Sequence, residues 1–178
     1  MTLSGTAGAR RARRTAPADP DSVDAAYAAA VRRLAAQPQS RAMLTAKLVR
    51  AGYSVEAAEA AAARAAERGY LDDEEFARSL VRRRSQGRGQ AMIARELRAR
   101  GIEGGLAQAA LGELDAGDEL ERARALAHGI VRVKPPAGWE QLRATVGARL
   151  GRRGFSSRVI ARVLGELAGD LGRSGAPD

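Results

Sequence analysis

The sequence predicts an all-α protein of three tandem three-helix repeats. Three observations carry this: a composition of strong helix formers, breakers spaced for short helices, and one motif that recurs three times. The 178 residues are 45% apolar, largely alanine, with 3% aromatic residues. Alanine, arginine, leucine and glutamate favour helix, and the Val, Ile and Thr runs that build strands are absent. A core of such small side chains lets helices approach closely while each buries little area.

Residues 1–21, with Arg10, Arg11, Arg13 and Arg14 among Gly, Ala, Thr and Pro, have no sustained period and read as a disordered basic arm. Residues 170–178, ending in Gly-Ala-Pro-Asp, read as a disordered tail. Between them breakers fall at Pro38, Gly52, Gly69, Gly87 to Gly89, Gly101, Gly117 and around Pro135 and Pro136. The intervals suit helices of about ten to fifteen residues.

Aligning RAMLTAKLVRAGY from Arg41 with QAMIARELRARGI from Gln90 and RATVGARLGRRGF from Arg143 places Leu44, Ile93 and Val146 in one column and Leu48, Leu97 and Leu150 in the next. Gly52, Gly101 and Gly154 then coincide, each followed by an apolar residue, Tyr53, Ile102 or Phe155. Positions four apart share a helix face, and a glycine just past the last turn can take the left-handed capping conformation. LGEL occurs at Leu111 and again at Leu164, and Tyr27 and Phe76 match in the helix before each of the first two units. Each unit therefore has three helices, at 22–71, 72–116 and 117–169.

The junction between the first two units has its own logic. Leu71 followed by Asp72-Asp73-Glu74-Glu75-Phe76 reads as a helix start. Asp72 is the N-cap, Glu75 its capping-box partner and Leu71 a staple to Phe76. Carboxylates beside the positive end of a helix need no catalytic explanation.

The run SRAMLTAKLVRAGY, then ERGYLDDEEFARSLVRRR, then GQAMIARELRARGI closely resembles the RecX family, the small regulators of the RecA recombinase. The likeness spans about residues 24 to 115, with a weaker third unit reaching about 168. It implies repeats arranged as an elongated, curved molecule that binds within the groove of the RecA filament on DNA. It further implies restraint of ATP hydrolysis, strand exchange, recombination and the SOS response. The chain departs from the family pattern in its alanine-only face within EAAEAAAARAAERG, in the insert VKPPAGW and in the basic arm.

Charge supplies the candidate contact residues. There are 30 Lys plus Arg against 21 Asp plus Glu, a net charge of +9, and Lys47 and Lys134 are the lysines. That balance favours a polyanionic or acidic partner, nucleic acid or an acidic protein surface, and the expected contacts of an arginine-rich face are single- and double-stranded DNA or the acidic wall of a filament groove. Arg82, Arg83, Arg84, Arg88, Arg95, Arg98 and Arg100 fall in one run relieved only by Glu96. With Ile93 and Leu97 facing the core, Arg95 and Arg98 point away from it, whereas Arg100 returns toward the apolar side. A second cluster is Arg149, Arg152, Arg153 and Arg158, and stacked repeats could align the two. Trp139 reads as a core anchor at a helix start, and His128 as a satisfied structural histidine.

Several chemistries lack their residues. Zero cysteines exclude disulfides and thiol chemistry and fit a reducing cytoplasm. No phosphate-cradling glycine loop with its lysine and no metal-ligand cluster occur, so neither cofactor nor metal is expected, nor enzymatic activity. No run of about 18 apolar residues suggests a membrane span, and the protein reads as a cytoplasmic monomer. A freestanding DNA-binding protein of helix-turn-helix type is the competing reading, although arginines spread over two units suit backbone contact better than base readout. A pure protein-interaction scaffold, whose DNA affinity would lack salt dependence, is the third. Reversing Arg95 and Arg98 to Glu is expected to weaken filament binding with helical content unchanged by circular dichroism. Unchanged affinity would place the contact surface elsewhere.

Overall fold

Residues 16–114 and 116–174 are described by a computed structural model, in which the elements are helical and no strand occurs among the described residues. The chain divides into two compact units, one of residues up to 37 and 44–70, the other of residues 38–43 and from 71 onward.

The first unit holds α1 (Val23–Ala36), α3 (Val55–Glu67) and most of α2 (Arg41–Val49). Helices α1 and α3 pack along alanine faces: Ala26 and Ala30 on one, Ala57, Ala58, Ala61, Ala62 and Ala65 on the other, all buried. Alanine replaces the expected larger residues because the helices meet at close range, where a leucine would have no room. Leu44 and Leu48 of α2 are fully buried. Ser22 and Ser54 cap α1 and α3 by accepting from Ala25 and Ala57 amides at 3.2 and 3.3 Å. Tyr27 is only half-buried, with the Arg64 guanidinium 4.3 Å above its ring, while Arg64 also reaches Asp24 at 2.6 Å.

The arm is pinned at its end. The Ser54 amide donates to the Pro20 carbonyl at 2.9 Å, and a Cβ on Gly52 would come within 2.8 Å of the Pro17 ring. The reading of residues 16–21 as disordered is thereby corrected, because these backbone and ring contacts tie them to the α2–α3 turn. The rest of the expected arm, 1–15, lies outside the described residues.

The second unit has two cores. Helices α4 (Asp73–Ser85), α5 (Gln90–Arg98) and α6 (Gly104–Gly112) enclose Phe76, Leu80, Val81, Ile93, Leu97 and Ile102. Helices α7 (Ala116–Val133), α8 (Trp139–Leu142), α9 (Ala148–Arg152) and α10 (Ser157–Ser174) enclose Leu142, Val146, Leu150, Phe155, Val163 and Leu164. A π-helical turn, Arg143–Gly147, joins α8 to α9. Helix α10 runs through residues 170–174 of the expected tail, and 175–178 lie outside the described residues.

The recurring columns share one geometry. Leu44, Leu48, Ile93, Leu97, Val146 and Leu150 are all fully buried. Gly52, Gly101 and Gly154 have φ of 105°, 75° and 83°. After each, the next amide bonds back to the carbonyl of the buried leucine five residues before it: Tyr53 to Leu48 at 3.3 Å, Ile102 to Leu97 at 3.0 Å, Phe155 to Leu150 at 3.2 Å. This is a Schellman cap, which satisfies the last carbonyls and turns an apolar side chain back to the core.

At the start of α4 the Asp72 carboxylate accepts from the Glu74 and Glu75 amides at 2.9 and 3.0 Å, and Leu71 and Phe76 are both buried. Glu75 differs from the reciprocal box: its carboxylate pairs with Arg82 at 2.8 Å, two turns on, where a charged partner outcompetes a backbone amide. Two further expectations are corrected. Trp139 is 47% exposed, because Leu142, one turn on, already closes the core. His128 is exposed, one residue round the helix from the buried Ala127.

Within the second unit the glycine corners also receive a neighbouring helix start. A Cβ on Gly101 would lie 2.3 Å from the Ala42 Cβ, and one on Gly89 would lie 2.2 Å from the Gly154 carbonyl oxygen. The Gly89 amide donates to the Arg153 carbonyl at 2.9 Å, and the Ser40 hydroxyl donates to the Arg100 carbonyl, the matching residue one unit earlier. Gly89→Ala is therefore expected to destabilise the protein by at least about 2–3 kcal/mol in urea unfolding, since backbone must move to admit the methyl. Gly105→Ala, within α6 and with open space around it, should instead stabilise by about 0.5–1 kcal/mol.

Candidate arginine-rich interface

The last turn of α4 carries Arg82, Arg83 and Arg84, where cations complement the helix dipole. The chain then turns through Gly87 and Gly89 into α5, and this turn lies against the end of α9. Arg83, Arg84 and Arg88 thus meet Arg152 and Arg153 around a cleft of about 530 Å³ that Gly87 and Met92 complete. No acid lines it.

One carboxylate organises the wall. Glu96 of α5 has a side chain only 9% exposed and takes Arg84 at 2.7 Å, Arg88 at 2.5 Å and Arg100 at 2.9 Å. Burial by itself pushes this carboxyl up. The hydrogen bond from Arg84 and the charges of Arg100, Arg84 and Arg88 outweigh burial, so the group sits below the usual carboxylate range. Three guanidiniums around one carboxylate leave two positive charges in excess, held in fixed places. An anion meeting them avoids part of the ordering cost of about 0.5–1.5 kcal/mol per long side chain.

The other candidates fall differently. Arg153 donates to the Gly87 carbonyl at 3.0 Å and so braces the cleft. Arg83 and Arg152 form no ion pair among the described residues, and both are exposed. Arg82 is engaged with Glu75, an exposed pair worth about 0–1 kcal/mol that a phosphate can displace. Arg95, Arg98 and Arg158 are exposed and lie outside the cleft lining, and Arg149 lines a separate groove. Arg100 turns inward to Glu96. Glu96 was not among the residues singled out by the sequence, although its signal was there: it is the sole acid in the run from Arg82 to Arg100.

Among the described residues no group of three or more His, Cys, Asp or Glu side chains could hold a metal ion. Nor does any helix there have the length and apolarity to cross a membrane. What the cleft offers is a concave, cationic, hydrogen-bond-donating surface, the chemistry that receives phosphate or carboxylate oxygens.

Glu96→Gln is expected to cost about 1–2 kcal/mol, at the low end for a lost charged partner because the guanidiniums can turn to solvent. The native-state carboxyl lies below its unfolded value. Its contribution is therefore full above about pH 4.3, the ordinary glutamate value, and is lost as pH falls through the native value. Glu166, held near 2 chiefly by the hydrogen bond from Arg124, adds a loss of the same sign. Thermal midpoints of wild type and Glu96→Gln should accordingly differ most near neutrality and converge in acid.

Comparison with known proteins locates this architecture. The family model described as RecX, second three-helix domain, matches residues 72–111. The regulatory protein RecX of Mycobacterium sp. (strain JLS) is 33% identical over 162 residues, covering 87% of this chain and 88% of that one. That of Streptomyces coelicolor is 33% identical over 161 residues, covering 89% and 85%. The solved structure of RecX from Lactobacillus salivarius superposes with a TM-score of 0.75 at 22% identity, over 84% of this chain and 97% of that one. Another regulatory protein RecX structure gives 0.72 at 24% identity, over 79% and 72%. The structural likeness speaks for the fold; the sequence identity, sustained along most of both chains, shows that this chain belongs to the RecX family of regulatory proteins.

Proposed function

We propose that the chain is a non-enzymatic regulator that binds the RecA filament on DNA and restrains its ATP hydrolysis, strand exchange and recombination. The observation that carries the proposal is the convergence of Arg83, Arg84, Arg88, Arg152 and Arg153 on one cleft, with Glu96 ordering two of them. Family membership supports the same reading. Three units of three helices, over 22–71, 72–116 and 117–169, supply contacts in series on a partner that is itself periodic. The protein acts as a cytoplasmic monomer.

The mechanism is steric and electrostatic. Guanidiniums at the cleft take phosphate oxygens of the filament's DNA or acidic side chains of its groove, releasing counterions. Bound there, the chain occupies space that an incoming duplex requires and holds recombinase protomers in an arrangement unfit for turnover. Many modest contacts sum to the affinity, so single reversals act weakly and paired ones strongly.

The test is ATP hydrolysis by the cognate RecA on single-stranded DNA while this protein is titrated in. Inhibition well below one copy per protomer is expected. The double variant Arg83→Glu/Arg152→Glu should require at least about tenfold more protein, with its helical circular dichroism unchanged and the salt slope of DNA binding reduced by about two. Absence of any effect on hydrolysis, together with salt-sensitive binding to bare duplex DNA, would instead favour a freestanding DNA-binding protein.

A further inference from the structure

A second concavity, of about 780 Å³, runs between α7 and the helix formed by α8, the π turn and α9. Its volume falls in the range of ligand and peptide sites, about 300–1,000 Å³. Its floor is made of the half-buried Leu126, Gly129 and Ile130 of α7, with the exposed Ala125 of α7 and Ala144 of the π turn beside them. The π turn is held by the Ala148 amide bonding five residues back to the Arg143 carbonyl, and the Thr145 hydroxyl donates to the Gln141 carbonyl at 2.6 Å. Such single π turns insert one extra residue into a helix and recur at functional sites.

The rim has a different character. Val133 is 83% exposed at one end, the most exposed large apolar residue among those described. Lys134, Arg149, Arg152 and Arg153 stand around the opening and form no ion pair among the described residues, Arg153 donating instead to the Gly87 carbonyl, and no acid lines the groove. An apolar floor bordered by four cations without a carboxylate partner among the described residues is complementary to a ligand with the opposite arrangement. Nucleic acid fits poorly: its phosphates would use the rim and leave the floor wet, and no aromatic side chain lines the groove for a base to stack on.

We propose that this groove docks an acidic peptide segment of a partner protein, with an aliphatic side chain seated over Gly129 and flanking carboxylates on Lys134, Arg149 and Arg152. The mode is that of short motifs that insert an apolar anchor into a groove while charges fix their direction. This inference does not rest on the proposed role at the filament. Arg152 and Arg153 line both concavities, so an occupied groove competes with the arginine cleft for these two guanidiniums.

The test is fluorescence anisotropy of the full chain with a fluorescein-labelled octapeptide of glutamates around two leucines, beside the same peptide with serines for the leucines. Saturable binding of the leucine peptide is expected, at least about tenfold tighter than the serine peptide, a difference of about 1.4 kcal/mol. Gly129→Leu fills the groove from its floor. A Cβ there meets nothing within 4 Å, and leucine is the better helix former, so the variant should melt no lower than wild type. It should lose the leucine peptide by at least about tenfold. Arg149→Glu, on an exposed residue, should lose it similarly. Equal affinity for both peptides, no binding, or unaltered binding by both variants would overturn the proposal. So would loss of single-stranded oligonucleotide binding in Gly129→Leu, which would assign the groove to nucleic acid.

Discussion

The backbone contact between Gly89 and Gly154 is the constraint on which the second unit depends. No side chain fits at Gly89, where a Cβ would fall 2.2 Å from the Gly154 carbonyl oxygen. The amides of Gly89 and Ala91 are consequently able to donate to the Arg153 and Gly154 carbonyls, at 2.9 and 3.3 Å. These bonds satisfy donors at the start of α5 and acceptors at the end of α9 together, so each helix end completes the other. Because the contact is backbone to backbone, it has none of the slack that rotamers would give, and it fixes where α4 ends relative to α9. The arginine cleft is a product of that placement.

Electrostatics then decides how each arginine is held. The run from Arg82 to Arg100 contains one acid, and the fold buries it. A buried carboxylate needs partners, and a cluster of guanidiniums needs a countercharge; Glu96 meets both requirements for Arg84, Arg88 and Arg100. The result is a graded set: residues ordered by Glu96, a brace in Arg153, an exchangeable pair at Arg82, and, at Arg83 and Arg152, cations with no ion pair among the described residues.

The alanine-rich first unit and the leucine-rich cores of the second show two solutions to the same helical repeat. Alanine faces on α1 and α3 gain from close approach, with stability distributed over many small contacts. In the second unit Phe76, Ile93 and Leu97, or Leu142, Leu150 and Phe155, bury more area per residue. The cap geometry after Gly52, Gly101 and Gly154 is nevertheless common to all, because it depends on backbone alone.

The sequence by itself determined the all-helical class, the buried columns headed by Leu44, Ile93 and Val146, and the positions where the chain turns. Those features are local: periodicity four, a glycine able to take positive φ, a carboxylate at Asp72 within reach of the next amides. Exposure of Trp139 and His128 was not legible, since helix periodicity does not say where a core ends. Nor was the choice among the arginines. Arg83 and Arg152 are 69 positions apart, and Arg95, three residues beyond Met92, stays outside the cleft that Met92 lines. Which guanidinium finds a carboxylate depends on distances between helices, and only the tertiary structure, set by the meeting of Gly89 with Gly154, decided those.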